Sequence, residues 1–167
     1  TSIATVEANA GSFWWDSAVN KVYVHSHTHA SVISSGRVME YPSVNYGLDV
    51  AAKNYVTIED ICVEGALQIG ARVSGASTGV VLNRVIARCG ADAGIRADGT
   101  GVVGANATDC VATLNGGIGL YWALTSGASV LTRCVAYDNG IDVANDHGFR
   151  VQNNAGASVV CNDCVSF

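Results

Sequence analysis

At 167 residues, with 14% of them charged and a formal net charge of −5, the chain is sized for one domain and lacks the concentrated basic face of a nucleic-acid binder. No apolar run reaches the roughly 18–20 residues that cross a bilayer, and no signal peptide opens the sequence. Nineteen glycines, a single proline, plentiful Val, Ile and Thr, and no sustained 3.6-residue apolar period together exclude a helical protein and predict short strands joined by tight turns.

In chain order, the first patterned stretch is Tyr23, His25, His27 and His29, which alternate along one apparent strand and so share a face. Same-face neighbours on a strand sit about 6.5–7 Å apart, close enough for two imidazoles to hold one metal ion. A solvated edge strand and a sugar-contacting strip are the other readings of the same pattern. Thr1 in place of Met reads as a processed or excised start.

From residue 48 onward a phrase recurs: Ile58-Glu59-Asp60-Ile61-Cys62-Val63, Leu82-Asn83-Arg84-Val85-Ile86-Ala87 and Ala107-Thr108-Asp109-Cys110-Val111-Ala112. It returns as Leu131-Thr132-Arg133-Cys134-Val135-Ala136 and as Cys161-Asn162-Asp163-Cys164-Val165-Ser166. The steps from Ile61 to Val85, Cys110, Cys134 and Cys164 are 24, 25, 24 and 30 residues. Such a period marks a solenoid, whose repeats bury their apolar faces against one another. Since the chain stops inside the fifth copy, a longer parent chain or a covering partner, including a second copy of the chain, is expected.

Each repeat divides into three strands. Alternation turns Val56 and Ile58, Val80 and Leu82, Ala105 and Ala107, Ser129 and Leu131, and Val159 and Cys161 to one side. Two polar residues then mark a bend, because Asn, Asp and Thr side chains satisfy turn backbone groups. Beyond the bend, Ile61 and Val63, Val85 and Ala87, Cys110 and Ala112, Cys134 and Ala136, and Cys164 and Ser166 point inward. Asn115-Gly116 and Asn139-Gly140 are turn dipeptides. The next coil's first strand follows, at Leu67 to Ile69, Ile95 to Ala97, Leu120 to Trp122 and Phe149 to Val151. Three strands per turn of about 24 residues, stacked at the ~4.8 Å sheet spacing, make an all-β parallel β-helix. The 30-residue step argues against a left-handed β-helix of six-residue units, and a propeller needs blades of about 40 residues.

Tyr55-Val56-Thr57-Ile58, Gly94-Ile95, Gly117-Ile118-Gly119-Leu120 and Asp138-Asn139-Gly140 resemble the right-handed parallel β-helix proteins of the pectate-lyase-like superfamily, over residues 48–167. Gly11-Ser12-Phe13-Trp14-Trp15-Asp16 with Lys21-Val22-Tyr23-Val24-His25 looks like the hairpin that precedes the helix in such proteins, spanning residues 11–29 of an N-terminal segment, 1–47. The resemblance implies an extracellular, secreted or virion-associated protein, such as a phage tail protein, that meets polysaccharide. Lyases of the superfamily similarly carry Arg or Lys and Ca²⁺-binding acids on the outer face of the helix. Its hydrolases need acids clustered on neighbouring coils; Asp98, Asp142 and Asp146 are the candidates, in registers that do not agree.

Stacking the first strands puts Gln68, Arg96, Tyr121 and Arg150 in one outward column, the expected substrate-binding set. Arg holds a carboxylate bidentately, and Tyr offers a flat face to a sugar. The long fourth step places an insertion at 140–147 with Asp142, Asn145, Asp146 and His147, just before Arg150. Insertions in solenoids fall on one face, often the binding face, and this residue set could hold Ca²⁺ or carry acid–base work on a sugar. A solvated loop of turn formers is the plainer reading. The six cysteines read as core fillers, with Cys110, Cys134 and Cys164 in one inward column, Cys161 beside it, and Cys62 and Cys89 outward. A Cys110–Cys134 disulfide remains within geometric range. Cys62, Ile86, Val111, Val135 and Val165 form an outward apolar column, expected to be covered by another chain or by the N-terminal segment. Polysaccharide binding is the function expected, with lyase or glycosidase turnover and a purely structural β-helix as the alternatives.

Overall fold

The computed structural model of the chain describes residues 13–16, 21–24, 44–124, 126–140, 148–153 and 156–167. These residues contain strands and turns and no helix. Two compact units are present, Thr1–Tyr41 and Pro42–Phe167. In the first, β1 (Phe13–Asp16) and β2 (Lys21–Val24) pair antiparallel, Phe13 opposite Val24 and Asp16 opposite Lys21, which is the expected hairpin. His25, His27 and His29 lie outside the described residues.

The second unit is a parallel β-helix of about four turns, built from three five-stranded parallel sheets. The first sheet stacks β3 (Tyr46–Ala51), β6 (Ile69–Ser74), β9 (Ala93–Asp98), β12 (Leu120–Leu124) and β15 (Phe149–Asn153). The second stacks β4 (Thr57–Glu59), β7 (Val81–Asn83), β10 (Asn106–Thr108), β13 (Gly127–Thr132) and β16 (Ala157–Asn162). The third stacks β5 (Cys62–Glu64), β8 (Ile86–Arg88), β11 (Val111–Thr113), β14 (Val135–Tyr137) and β17 (Val165–Ser166).

The inward columns follow the sequence reading. Val80, Leu82, Val85, Ala87, Ala105, Ala107, Cys110, Ala112, Leu131, Cys134 and Ala136 are buried. Ser129 is buried with them, its hydroxyl without a hydrogen-bond partner. In the first and last coils of the stack, Ile61 and Cys161 are exposed at the same register positions. Trp122 is the largest fully buried side chain among the described residues and satisfies its indole N–H on the carbonyl of Ala105 at 3.0 Å. Each fully buried Leu, Ile or Val in this stack contributes about 1.5–3 kcal/mol of apolar burial.

Two corners hold the three sheets together. At the bend between second and third sheets, Asp60, Arg84, Asp109, Arg133 and Asp163 stack in a left-handed backbone conformation, φ 49–56°. Asp tolerates this conformation better than most residues, and Arg does not share that advantage. The compensation is electrostatic. Arg84 grips the Asp60 carboxylate with two hydrogen bonds, at 2.5 and 2.7 Å, and Arg133 grips Asp109 likewise, at 2.7 and 2.6 Å. Both carboxyls are held below their ordinary range, chiefly by these hydrogen bonds.

At the corner between third and first sheets the walls nearly touch. Gly47, Gly70, Gly94, Gly119 and Gly148 precede the inward residues of the first strands and lie against Val63, Ala87, Ala112, Ala136 and Ser166. A Cβ on Gly94 would lie 2.8 Å from that of Ala112 and 2.6 Å from Asn115 Nδ2, so no larger residue fits. Beside this seam, Asn115 is fully buried: its Oδ1 accepts from the Gly90 N–H at 2.9 Å, and its Nδ2 donates to Ala87 O and Asn139 Oδ1 at 3.3 and 2.8 Å. Asn139 Nδ2 in turn donates to Ala112 O and Tyr137 O. The turn dipeptides thus supply an internal amide ladder that satisfies corner backbone groups water cannot reach.

Candidate functional site

The outer face of the first sheet carries the candidate site. Strand alternation turns Leu48 and Val50, Ala71 and Val73, Ile95 and Ala97, and Leu120 and Trp122 inward, so the intervening residues point out. Register then stacks Asp49, Arg72, Arg96, Tyr121 and Arg150 in one column. Three of the expected residues, Arg96, Tyr121 and Arg150, are neighbours as predicted.

Gln68 is not among them. It precedes β6, in the connection from the third sheet, where its carbonyl accepts the Asp92 N–H at 2.8 Å. Arg72 takes the predicted place, four residues further on, because β6 starts at Ile69 and not at Leu67. The sequence signal that finds Arg72 is a glycine, one apolar residue, then the outward residue: Gly70-Ala71-Arg72, Gly94-Ile95-Arg96, Gly119-Leu120-Tyr121, Gly148-Phe149-Arg150.

Within the column the cations are not equivalent. Arg96 is committed: Nη2 binds Asp98 at 2.6 Å and Nη1 binds Asp92 at 3.3 Å. Burial disfavours its charge, but the Asp98 hydrogen bond and the two carboxylates outweigh that, holding its pKa above the ordinary value. Among the described residues, Arg72 and Arg150 form no ion pair. Arg72 lies over the Tyr46 ring at 4.6 Å, with its Nε buried and unbonded. Arg150 is exposed and lies 5.3 Å from the Tyr121 centroid.

Tyr121 does not offer an open ring face. Arg96 from the preceding coil and Arg150 from the following one sit over it, at 5.0 and 5.3 Å, and its hydroxyl donates to Gln152 Oε1 at 2.7 Å. The tyrosine therefore acts as a spacer that stiffens two guanidiniums by cation–π contact, and what it leaves for a ligand is its edge. Chemically, the column can bind carboxylates or other anions through Arg72 and Arg150 and accept sugar hydroxyls on Asp49, Asp92 and Asp98.

Of the proposed acid–base and Ca²⁺ residues, Asp142, Asp146 and His147 lie outside the described residues. Asp98 is described, and the register places Ala123 beside it on the next coil, so no second carboxylate joins it there. Among the described residues no group of three or more His, Cys, Asp or Glu side chains is placed to hold a metal ion.

All six cysteines are free thiols, Cys62 and Cys89 on the outside as expected. Cys110, Cys134 and Cys164 stack inward. The hydrogen bond with Cys110 and burial raise the Cys134 pKa, and burial raises those of Cys161 and Cys164. Cys110 and Cys134 are fully buried, out of reach of any reactant, so this column is packing material.

Comparison with protein-family models, with curated proteins and with solved structures gave no match to this chain.

Proposed function

We propose that this β-helix is a polysaccharide-binding module of an extracellular or virion-borne protein, and that acidic glycan chains dock on the outer face of the first sheet. The observation that carries the reading is Arg150: an exposed guanidinium with no ion pair among the described residues, braced on Tyr121 beside the one long insertion in the repeat. Arg72, half-buried and likewise without an ion pair among the described residues, supplies a second cation on the same column, and Arg96 between them is fixed by its two aspartates. Arg72 and Arg150 stand three coil steps apart, about 14 Å at ~4.8 Å per step, so a polymer with carboxylates on its sugars can bridge them, and little freedom of the braced side chains is lost on binding.

A second reading, a structural β-helix of a tail protein or adhesin, draws on the same column. Arg96 and Tyr121 are already satisfied internally, which is what a purely stabilising ladder requires. Glycan-array binding followed by titration separates the two. Loss of a charge-assisted hydrogen bond costs about 1.5–3 kcal/mol, so Arg150→Ala and Arg72→Ala should each weaken binding of a uronate or sialate polymer about tenfold or more. Arg133→Ala, at the distant bend, should leave it unchanged. Equal affinity for parent, Arg150→Ala and Arg72→Ala would refute the binding reading, and the appearance of an unsaturated product at ultraviolet wavelengths would add lyase turnover to it.

A further inference from the structure

The outer column of the first sheet is not a uniform row of cations. Step by step along the helix axis it runs Asp49, Arg72, Arg96, Tyr121, Arg150. The Arg96 step sets one cation against two carboxylates, Asp92 at 3.3 Å from Nη1 and Asp98 at 2.6 Å from Nη2. That step is net negative, and the Asp92 side chain, 56% exposed, faces whatever lies over it. The next step is neutral, because residues 114–124 include no Asp, Glu, Lys or Arg. From Arg72 to Arg150 the face therefore reads positive, negative, neutral, positive.

The interval between the two outer cations is well defined. Arg72 and Arg150 each lean toward a tyrosine of the coil before, Tyr46 and Tyr121. The three coil steps between their strands thus carry over to their guanidiniums. A hexose in a 1,4-linked chain advances by about one coil step of ~4.8 Å, so a glycan lying along the axis sets one sugar over each coil.

We infer that this face selects glycans whose acidic sugars are separated by two neutral ones, and that Asp92 and Asp98 enforce the spacing. The inference rests on the polysaccharide reading above and names the class of polymer within it. Carboxylates on the first and fourth sugars meet Arg72 and Arg150. The second sugar lies over Arg96, where its hydroxyls donate to Asp92. A carboxylate in that place would meet two like charges and a guanidinium already held in two ion pairs. The third sugar lies over Tyr121, which supplies an edge and no charge. A polymer with a carboxylate on every sugar gains the same two arginines but sets a further charge against Asp92. One with acids on alternate sugars reaches only one of the two arginines. Discrimination thus comes from a built-in repulsion as much as from attraction.

Four 1,4-linked glucose tetrasaccharides test this: a neutral one, and three carrying glucuronate at sugars one and four, at one and three, or at all four. Affinities are read by chemical-shift titration at low ionic strength, where contrasts between exposed charges are least screened. The one-and-four probe should bind the parent chain about tenfold or more tightly than each of the others. In Asp92→Asn/Asp98→Asn the freed Arg96 should bring the all-four probe level with it. Asp92→Asn alone, which keeps the Arg96–Asp98 pair, should narrow the contrast in part. If the two aspartates only stabilised the sheet, their loss would lower the thermal midpoint and leave the ratio between probes unchanged. An all-four probe that binds the parent as tightly as the one-and-four probe would overturn the inference and leave the polysaccharide reading standing. So would a ratio that Asp92→Asn does not move. Binding of none of the four probes would instead sink the polysaccharide reading, and this inference with it.

Discussion

The first and third sheets are threaded by the same coils, yet their two sides obey different rules. Their inner sides are fitted to each other residue by residue: the glycines ahead of the first strands accept the alanines of the third sheet at distances that leave no room for a methyl group. Their outer sides are unrelated, charged on the first sheet and apolar on the third. Core packing fixes only every second residue of a strand, so the remaining residues are free to record what the protein meets. An outward column that keeps its chemistry across several coils is thus informative in a way an inward one is not.

The largest way to break this comparison is to remove what spaces the two inner walls. Asn115→Ala would orphan the Gly90 N–H and remove the side-chain hydrogen bonds to the Ala87 carbonyl and to Asn139 at a corner that water does not reach. Each orphaned buried group costs about 1–3 kcal/mol, so a loss of about 3 kcal/mol is expected, read as a drop in the urea midpoint at constant slope. Both outer faces should suffer together, since both hang on that corner.

Next in size is the seam itself. Gly94→Ala sets a methyl group against Ala112, Asn115 and the Gly119 carbonyl, all within 2.8 Å, and overpacking of this kind costs about 1–3 kcal/mol. Pairing it with Ala112→Gly should restore part of the loss in a double-mutant cycle, because the two positions share one contact. Additive losses would mean that the Asn115 and Gly119 contacts dominate.

The smallest effect sharpens the comparison at the bend, remote from the outer face of the first sheet. In Arg133→Gln the Asp109 carboxyl loses the hydrogen bonds that depress it and should titrate closer to its ordinary value of 3.8, as carbon-detected NMR of the side chain would show. The sign follows from that depression. The pair's contribution is complete above the ordinary carboxylate range and vanishes as the pH falls through the lowered value, so parent and variant should differ at neutral pH and converge in acid. Glycan binding should not respond.

Much of this architecture was legible because the repeat constrains it several times over. The phrase around Ile58, Leu82, Ala107, Leu131 and Cys161 placed the second and third strands, the bend between them, and the outward apolar column correctly. The first strands were harder, because their entry is variable in length. Leu67 looks like a strand start by hydrophobicity, and only the glycine seam reveals that β6 begins at Ile69 and projects Arg72 in place of Gln68. The closure of the tyrosine ring by Arg96 and Arg150 was equally hidden, since a column predicts adjacency but not which side chain lies over which. The bend residues were read singly as turn formers. Their pairing as Asp with Arg is visible only when successive coils are superposed.

That pairing sets a rule for how a chain of this kind can change length. Along the bend the charges alternate, Asp60, Arg84, Asp109, Arg133, Asp163, so the pattern repeats every second coil although the backbone repeats every coil. Duplicating or deleting one coil would bring two aspartates or two arginines together at a strained corner, where a like pair repels and neither partner offsets the left-handed backbone. Duplicating or deleting two coils would preserve the alternation of charge along the bend. Growth and shortening of this solenoid should therefore proceed by even numbers of coils.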